Sequence, residues 1–201
     1  MALLSLFENN YEKTLMWVLI GVFLDSFDGL VARAFRATTE IGKQLDSLCD
    51  VISFGVVPGY FMYKYLSDFL SYELVPLSLS AFVVTLASIF RLARFNITPS
   101  SQLDFQGLPT PAFALFVIGI PFIPYEINPI IITVIVALLT VLMVSKIMLP
   151  SQKFVNGKPS NFFWIFAVVA IPVLLIFRSQ ALSLTVLTYA FFGMLYMRLR
   201  A

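Results

Sequence analysis

Four aspartates lie close together in a stretch that is otherwise apolar. Asp25 and Asp28 are three residues apart and Asp46 and Asp50 are four apart, so each pair shares one helix face. The polar residues 36–40 between the pairs predict a helical hairpin that brings all four carboxylates to a similar depth. Acids this dense in a low-dielectric pocket require counter-ions. We therefore predict a divalent metal site, with two ions.

The residues around these acids suit a phosphate ligand. Gly29 follows Asp28 directly, and Arg33 lies one helical turn beyond it. Gly42 precedes Asp46 by four residues, and because it has no side chain it leaves space on that face of the second helix. Arginine presents a planar set of donors that matches phosphate oxygens. Taken singly, the glycines are typical of close helix packing and the arginine of an interface anchor, but together they favour a pyrophosphate site.

The amino-acid composition excludes several kinds of catalytic and metal site. The 201 residues are 60% hydrophobic and 12% charged, whereas soluble domains are about 45–50% apolar and about 25% charged. Histidine is absent, which excludes imidazole bases and His-ligated zinc. Cys49 is the one cysteine, which excludes an intramolecular disulfide and a Cys-rich metal site. Carboxylate ligands without His or Cys favour Mg²⁺ or Mn²⁺.

The hydropathy pattern predicts an all-α integral membrane protein, a polytopic bundle of about seven helices. We expect one membrane-embedded domain over 1–201, with its catalytic helical hairpin at 14–68. The predicted spans are 14–36, 41–68, 74–97, 109–124, 127–149, 161–177 and 181–199. The fourth is short and contains Pro111 and Pro121, so it could be kinked, tilted or continuous with the fifth.

The basic residues predict the orientation. Ten of the thirteen Lys and Arg residues fall on one side of these spans, and only Lys13, Lys64 and Arg178 fall on the other. The side richer in Lys and Arg faces the cytoplasm. The aspartate hairpin turns on that side. We therefore expect a multi-pass protein of the cytoplasmic membrane, with its site open to the cytoplasm and no nucleic-acid partner.

The segment DGLVAR, eight residues, then GKQLDSLCD matches the pattern DGxxARx8GxxxDxxxD from Asp28 to Asp50. This chain resembles the CDP-alcohol phosphotransferases, membrane enzymes that displace CMP from a CDP-linked donor. The segments LDSLCDVISFGVVPG, RLARFN and GLPTPA resemble the bacterial and archaeal phosphatidylserine synthases of that family. The resemblance covers most of residues 17–150.

The resemblance implies a reaction and a role for each motif residue. The expected reaction transfers a phosphatidyl group from CDP-diacylglycerol to L-serine. Asp25, Asp28, Asp46 and Asp50 would hold the metal ions, and Asp50 would also act as general base. Gly29, Arg33 and Gly42 would line the CDP pyrophosphate. The family is usually homodimeric and has a helix before the hairpin, which we expect to be missing here.

The acceptor needs its own partners. Arg91 and Arg94 lie three residues apart at the cytoplasmic end of their span, with Asn96 beyond them. We predict that they bind the carboxylate of serine or the phosphates of the donor. Anchoring of the helix end at the membrane surface is the simpler alternative.

Three other interpretations stay open at this stage. The acceptor could be glycerol phosphate or inositol phosphate, although those substrates should require a denser basic cluster. From another class, the acids could belong to an ion-coupled transporter. The chain could also be an inactive paralogue that keeps the helical bundle without turnover.

Overall fold

The computed structural model describes residues 1–34, 39–70, 72–97, 105–150, 154–155, 158–159 and 181–200. The chain forms two compact units, Met1–Ile97 and Thr98–Ala201. In both units the described elements are mainly helices, as the sequence predicts.

The first unit contains the predicted hairpin. Its helices are α1 (Ala2–Phe7), α2 (Tyr11–Ala34), α3 (Glu40–Asp50), a π-helical turn (Val51–Val56), α4 (Val57–Phe69), a 3₁₀ segment (Tyr72–Phe82) and α5 (Val83–Ile97). The apolar core of this unit is centred on the hydrophobic residues that are no more than 1% exposed: Leu6, Val18, Phe54, Val57 and Met62. The hydroxyl of Ser67 donates to Ser78 Oγ at 2.9 Å and ties α4 to the 3₁₀ segment.

The link between α1 and α2 is a tight elbow. Asn9 has a φ of 58°, a left-handed conformation that asparagine tolerates better than most residues. Asn10 caps α2, since its side-chain oxygen accepts a 3.0 Å hydrogen bond from the Lys13 amide. The elbow returns α1 to the body of the unit, where the ring of Phe7 packs edge-on against Tyr60.

Helix α3, the π turn and α4 run on as one helix over Glu40–Phe69. Pro58, the second residue of α4, has no N–H to continue the regular ladder of α-helical hydrogen bonds. The widened π turn begins directly after Asp50 and ends at Val56, two residues before that proline. Single π turns of this kind are frequent at functional sites.

The described residues of the second unit include three α-helices. These are α6 (Thr110–Gly119), followed by a 3₁₀ turn (Ile120–Phe122), α7 (Pro129–Val144) and α8 (Ala181–Arg200). Two-residue strands form antiparallel pairs: β1 (Phe105–Gln106) with β2 (Met148–Leu149), and β3 (Phe154–Val155) with β4 (Lys158–Pro159). The hydroxyl of Ser183 on α8 donates to the Phe116 carbonyl at 2.8 Å and joins α8 to α6.

The helix lengths agree with a membrane protein. Three helices among the described residues are long and apolar enough to cross a membrane: Glu40–Phe69, Leu77–Ile97 and Ala181–Arg198. Thr110–Phe122 and Pro129–Val144 are shorter apolar helices, and α6 and α7 are separate rather than continuous. The predicted span 161–177 lies outside the described residues. The total of seven spans therefore stays a prediction.

Apolar side chains also lie on the outside of these helices. On α3 and the π turn, Ile41, Leu45, Leu48 and Ile52 follow one another at helical spacing and are each more than half exposed. Helix α7 carries a similar exposed row that includes Leu138. Surfaces of this kind suit lipid, because hydrocarbon chains solvate them without the cost that water imposes.

Candidate active site

Helix α3 begins with a side-chain cap. Thr39 has an extended backbone, and its hydroxyl oxygen accepts a 3.0 Å hydrogen bond from the Gly42 amide. This satisfies one of the amides that a helix start leaves without a partner. A Cβ atom on Gly42 would stand 2.9 Å from Thr39 Oγ1. Gly42 therefore has a local structural reason to be glycine, in addition to the predicted clearance for a phosphate.

The cap sets the start of the helix that carries two of the predicted acids. Asp46 is exposed and Asp50, at the last residue of α3, is half-buried. Asp25 lies on α2 and is also half-buried. Asp28, Gly29 and Arg33 belong to α2 as well, but their side chains lie outside the described residues.

Asp50 has three charged neighbours. Asp25 on α2, Asp46 on α3 and Arg91 on α5 all act on it electrostatically. Arg91 is 6% exposed, so its guanidinium is inside the unit rather than at a surface. Three helices thus bring three acids and one base into one region of the first unit.

This donor set fits a hard divalent cation by its chemistry. Three carboxylates face one guanidinium, so the region keeps an excess of negative charge that a cation would neutralise. Among the side chains that the structure describes, no three possible ligands form a ready metal-binding group. The fourth predicted ligand, Asp28, lies outside that set. The two-ion site therefore stays a prediction.

The three predicted acceptor-binding residues have different neighbours. Arg91 acts electrostatically on Asp50, whereas the guanidinium carbon of Arg94 lies 6.0 Å from the ring centroid of Phe90 on the same helix. The side-chain amide of Asn96 donates a 2.8 Å hydrogen bond to Ser47 Oγ. Asn96 thus contacts the acid-bearing helix, and Arg91 acts electrostatically on its carboxylate at Asp50.

Sequence reasoning did not identify Ser47 or Thr85. The hydroxyl of Thr85 on α5 donates to the Gly55 carbonyl at 3.0 Å, and a Cβ atom on Gly55 would lie 3.0 Å from Ser88 Cβ. A Cβ atom on Gly59 would overlap Thr85 Oγ1. The signal for this packing was present as a G-x-x-x-G spacing from Gly55 to Gly59.

The described helices are those of a helical membrane protein, and in its first unit Asp25, Asp46 and Arg91 act electrostatically on Asp50. The chain belongs to the CDP-alcohol phosphatidyltransferase family, whose model matches residues 1–152. That family is generally dependent on divalent metal ions. The recognition made from the aspartate motif is thereby confirmed.

Several relatives carry the same name. A CDP-diacylglycerol–serine O-phosphatidyltransferase of Methanocaldococcus jannaschii is 34% identical over 195 residues, which are 96% of this chain and 86% of the relative. The enzyme of that name from Bacillus subtilis is 33% identical over 76% of this chain and 83% of its own length. One from Helicobacter pylori is 31% identical over 97% of this chain and 85% of its own. The chain is thus similar to such enzymes along most of its length.

Proposed function

We propose that this chain transfers the phosphatidyl group of CDP-diacylglycerol to L-serine. The serine hydroxyl oxygen attacks the phosphorus that carries the diacylglycerol, and the bond from that phosphorus to CMP breaks. The products are phosphatidylserine and CMP. The observation that carries the proposal is the 34% identity to an enzyme of that name over 96% of this chain. The grouping of acids around Asp50 supports it from the structure.

Asp50 is the proposed general base. Its carboxylate would take the proton from the serine hydroxyl as the new phosphorus–oxygen bond forms. Arg91, buried beside it, would keep that carboxylate oriented and would offset part of the negative charge around it. CMP leaves as a phosphate, so no strong protein acid is required.

Asp25, Asp28, Asp46 and Asp50 would hold two Mg²⁺ or Mn²⁺ ions. Bound ions of this kind neutralise phosphate charge and align the attacking and leaving oxygens. The aspartates on the two helices would fix where the diphosphate lies.

The pyrophosphate of the donor would lie beside the connection between the two hairpin helices, where α2 ends and α3 begins. Gly29 and Gly42 would leave room for the pyrophosphate, and Arg33 would donate hydrogen bonds to its oxygens. The acyl chains would stay in the lipid that surrounds the exposed apolar rows. We place the protein in the cytoplasmic membrane as a homodimer of seven-span chains, with the site open to the cytoplasm.

The test is CMP release from CDP-diacylglycerol in detergent–lipid micelles. Serine, glycerol 3-phosphate and inositol 1-phosphate are compared as acceptors, each with Mg²⁺, with Mn²⁺ and with EDTA. We expect release with serine only and complete loss with EDTA. Release that persists after chelation would contradict the metal mechanism, and release with glycerol 3-phosphate but not serine would reject the serine assignment.

A matched pair of variants separates the site from general loss of charge. Asp50→Asn should reduce release by about 10²–10⁴-fold, the usual contribution of a general base, while Asp25, Asp28 and Asp46 still bind metal at lower affinity. Asp68→Asn removes an exposed carboxylate from the same continuous helix, roughly 27 Å further along it, and should leave release unchanged. Ion flux through liposomes that lack CDP-lipid would instead support a transporter.

A further inference from the structure

Helices α3–α4 and α5 meet along a line of contacts in one antiparallel register. As the residue number increases along α3–α4, the number of the partner residue on α5 decreases. We call this line the α3–α5 seam. In order along it, Ser47 is hydrogen-bonded to Asn96, Asp50 interacts electrostatically with Arg91, Gly55 lies against Ser88 and Thr85, and Gly59 lies against Thr85.

The π turn makes this seam continuous. Gly55 and Gly59 follow Ser47 by eight and twelve residues, so in a regular α-helix they would lie roughly 80° and 120° away from it around the axis. A π turn takes in one extra residue and rotates the remainder of the helix back by about 100°. Both glycines then fall within about 20° of Ser47. The turn therefore lets one helix place Ser47 and the two glycines against the same neighbour.

Ser47 is the hydrogen-bonded residue of the seam that lies nearest to Asp46 and Asp50 in the sequence. It directly follows Asp46 and precedes Asp50 by three residues. Rotation of α3 about its axis would move both carboxylates at once, and a bond at Ser47 opposes that rotation. The bond it makes is the 2.8 Å hydrogen bond from the Asn96 amide.

We propose that Asn96 is a positioning residue, which holds Ser47 and so fixes the orientation of Asp46 and Asp50. In this role Asn96 acts through α3 and does not contact the acceptor alcohol, in contrast to the expectation from sequence. The inference rests on the proposed function, since it concerns the same carboxylates. The Thr85–Gly55 hydrogen bond lies further along the seam and keeps the two helices together when the Asn96 bond is removed.

The test is a double-mutant cycle on Ser47→Ala and Asn96→Ala. Three quantities are measured: kcat for CMP release, KM for serine, and the Kd of Mn²⁺ by electron paramagnetic resonance. We expect each single variant to lower kcat roughly tenfold and to weaken Mn²⁺ binding, because small displacements of catalytic groups have large effects on rate. KM for serine should stay within about twofold, and the double variant should be no worse than either single one.

A second pair of variants separates the hydroxyl from the packing at this position. Ser47→Thr keeps the hydroxyl. Ser47→Val has the shape of the threonine variant but lacks the hydroxyl. We expect kcat and Mn²⁺ affinity of Ser47→Thr to stand well above those of Ser47→Val. Equal values for the two would show that the hydrogen bond does not position the acids.

Other outcomes overturn the inference in distinct ways. A rise in KM for serine with Asn96→Ala, while Ser47→Ala is unchanged, would place Asn96 on the acceptor. If the losses in kcat and Mn²⁺ affinity are additive in the double variant, Ser47 and Asn96 act independently. If the unmodified protein binds Mn²⁺ but releases no CMP with serine, the proposed function fails, and the Mn²⁺ affinities alone decide the role of Asn96. Absence of Mn²⁺ binding in the unmodified protein would overturn both.

Discussion

Thr85 donates its hydroxyl to the carbonyl oxygen of Gly55 at 3.0 Å, from α5 to the π turn. The bond serves a backbone carbonyl in the one stretch of the acid-bearing helix that departs from regular α-helical geometry. Within a bilayer, water is not present to satisfy such a group. The side chain of a neighbouring helix therefore supports the widened turn.

Removal of that hydroxyl should destabilise the first unit. Thr85→Val keeps the shape of the side chain and deletes the donor, and we expect a loss of about 1–3 kcal/mol in the free energy of unfolding. Thr85→Ser keeps the donor and serves as the control. The measurement is thermal or denaturant unfolding in detergent micelles, and equal stability of the two variants would contradict this role for the bond.

The contact between Gly59 and Thr85 yields a second prediction. Gly59→Ala places a methyl group against Thr85 Oγ1, and we expect overpacking to cost about 1–3 kcal/mol. The same change at Gly21, where the nearest atoms lie at 3.8 Å, should be neutral or slightly stabilising. Combining Gly59→Ala with Thr85→Ala should restore part of the loss. A double variant as unstable as the sum of the singles would show that the two sites are independent.

The bounds of the predicted spans agree closely with those of the helices where the apolar stretch and the helix end together. The span 41–68 corresponds to the continuous helix Glu40–Phe69, and 181–199 corresponds to Ala181–Arg200. The span 127–149 runs beyond α7, which ends at Val144, because the apolar residues after it turn away and Met148–Leu149 pair with β1. A hydropathy profile does not distinguish the apolar tail of a helix from an apolar strand.

The site, like the spans, was predicted from the sequence only in part. The acids were identifiable from their spacing, and Asp25 and Asp46 act electrostatically on Asp50. The partnership of Ser47 with Asn96 joins residues 49 positions apart and depends on the rotation that the π turn introduces. No local pattern in the sequence encodes that register, although the Gly55–Gly59 spacing marks where the helices approach.

Among the described glycines of the second unit, Gly107 should be the least replaceable. Its φ is +71°, and a Cβ atom there would stand 2.9 Å from the Leu142 carbonyl oxygen and closer still to that of Met143. Its amide also donates to the Ile147 carbonyl at 2.8 Å. We expect Gly107→Ala to cost at least about 1–3 kcal/mol, because both the backbone conformation and the space exclude a side chain. Unfolding scans report the loss, and an unchanged melting temperature would contradict it.

Variants at Thr39 and Gly42 separate a structural from a phosphate-binding role. Thr39→Ala removes the cap and should cost about 0.5–2 kcal/mol, whereas Thr39→Ser should retain it. If Gly42 serves only to leave room for the cap, Gly42→Ala adds no further loss once Thr39 is alanine. We expect the double variant to lose additional CMP release, because the proposed pyrophosphate clearance is independent of the cap. Unfolding scans and release assays on the same samples give both quantities.

The two arginines of α5 should differ sharply. Arg91 is buried beside Asp50, whereas Arg94 lies by the Phe90 ring. Arg91→Met leaves Asp50 facing two carboxylates, and we expect kcat to fall by at least ~30-fold. Arg94→Met should change kcat by less than about threefold. Comparable losses in the two variants would indicate that both arginines bind substrate.

Cys49 precedes Asp50, is exposed, and is the one thiol in the chain. A maleimide fluorophore attached there needs no engineered residue and no removal of a competing cysteine. Paramagnetic Mn²⁺ held by the neighbouring carboxylates would quench its emission. Metal occupancy can therefore be followed by fluorescence in intact proteoliposomes, without turnover of the lipid donor.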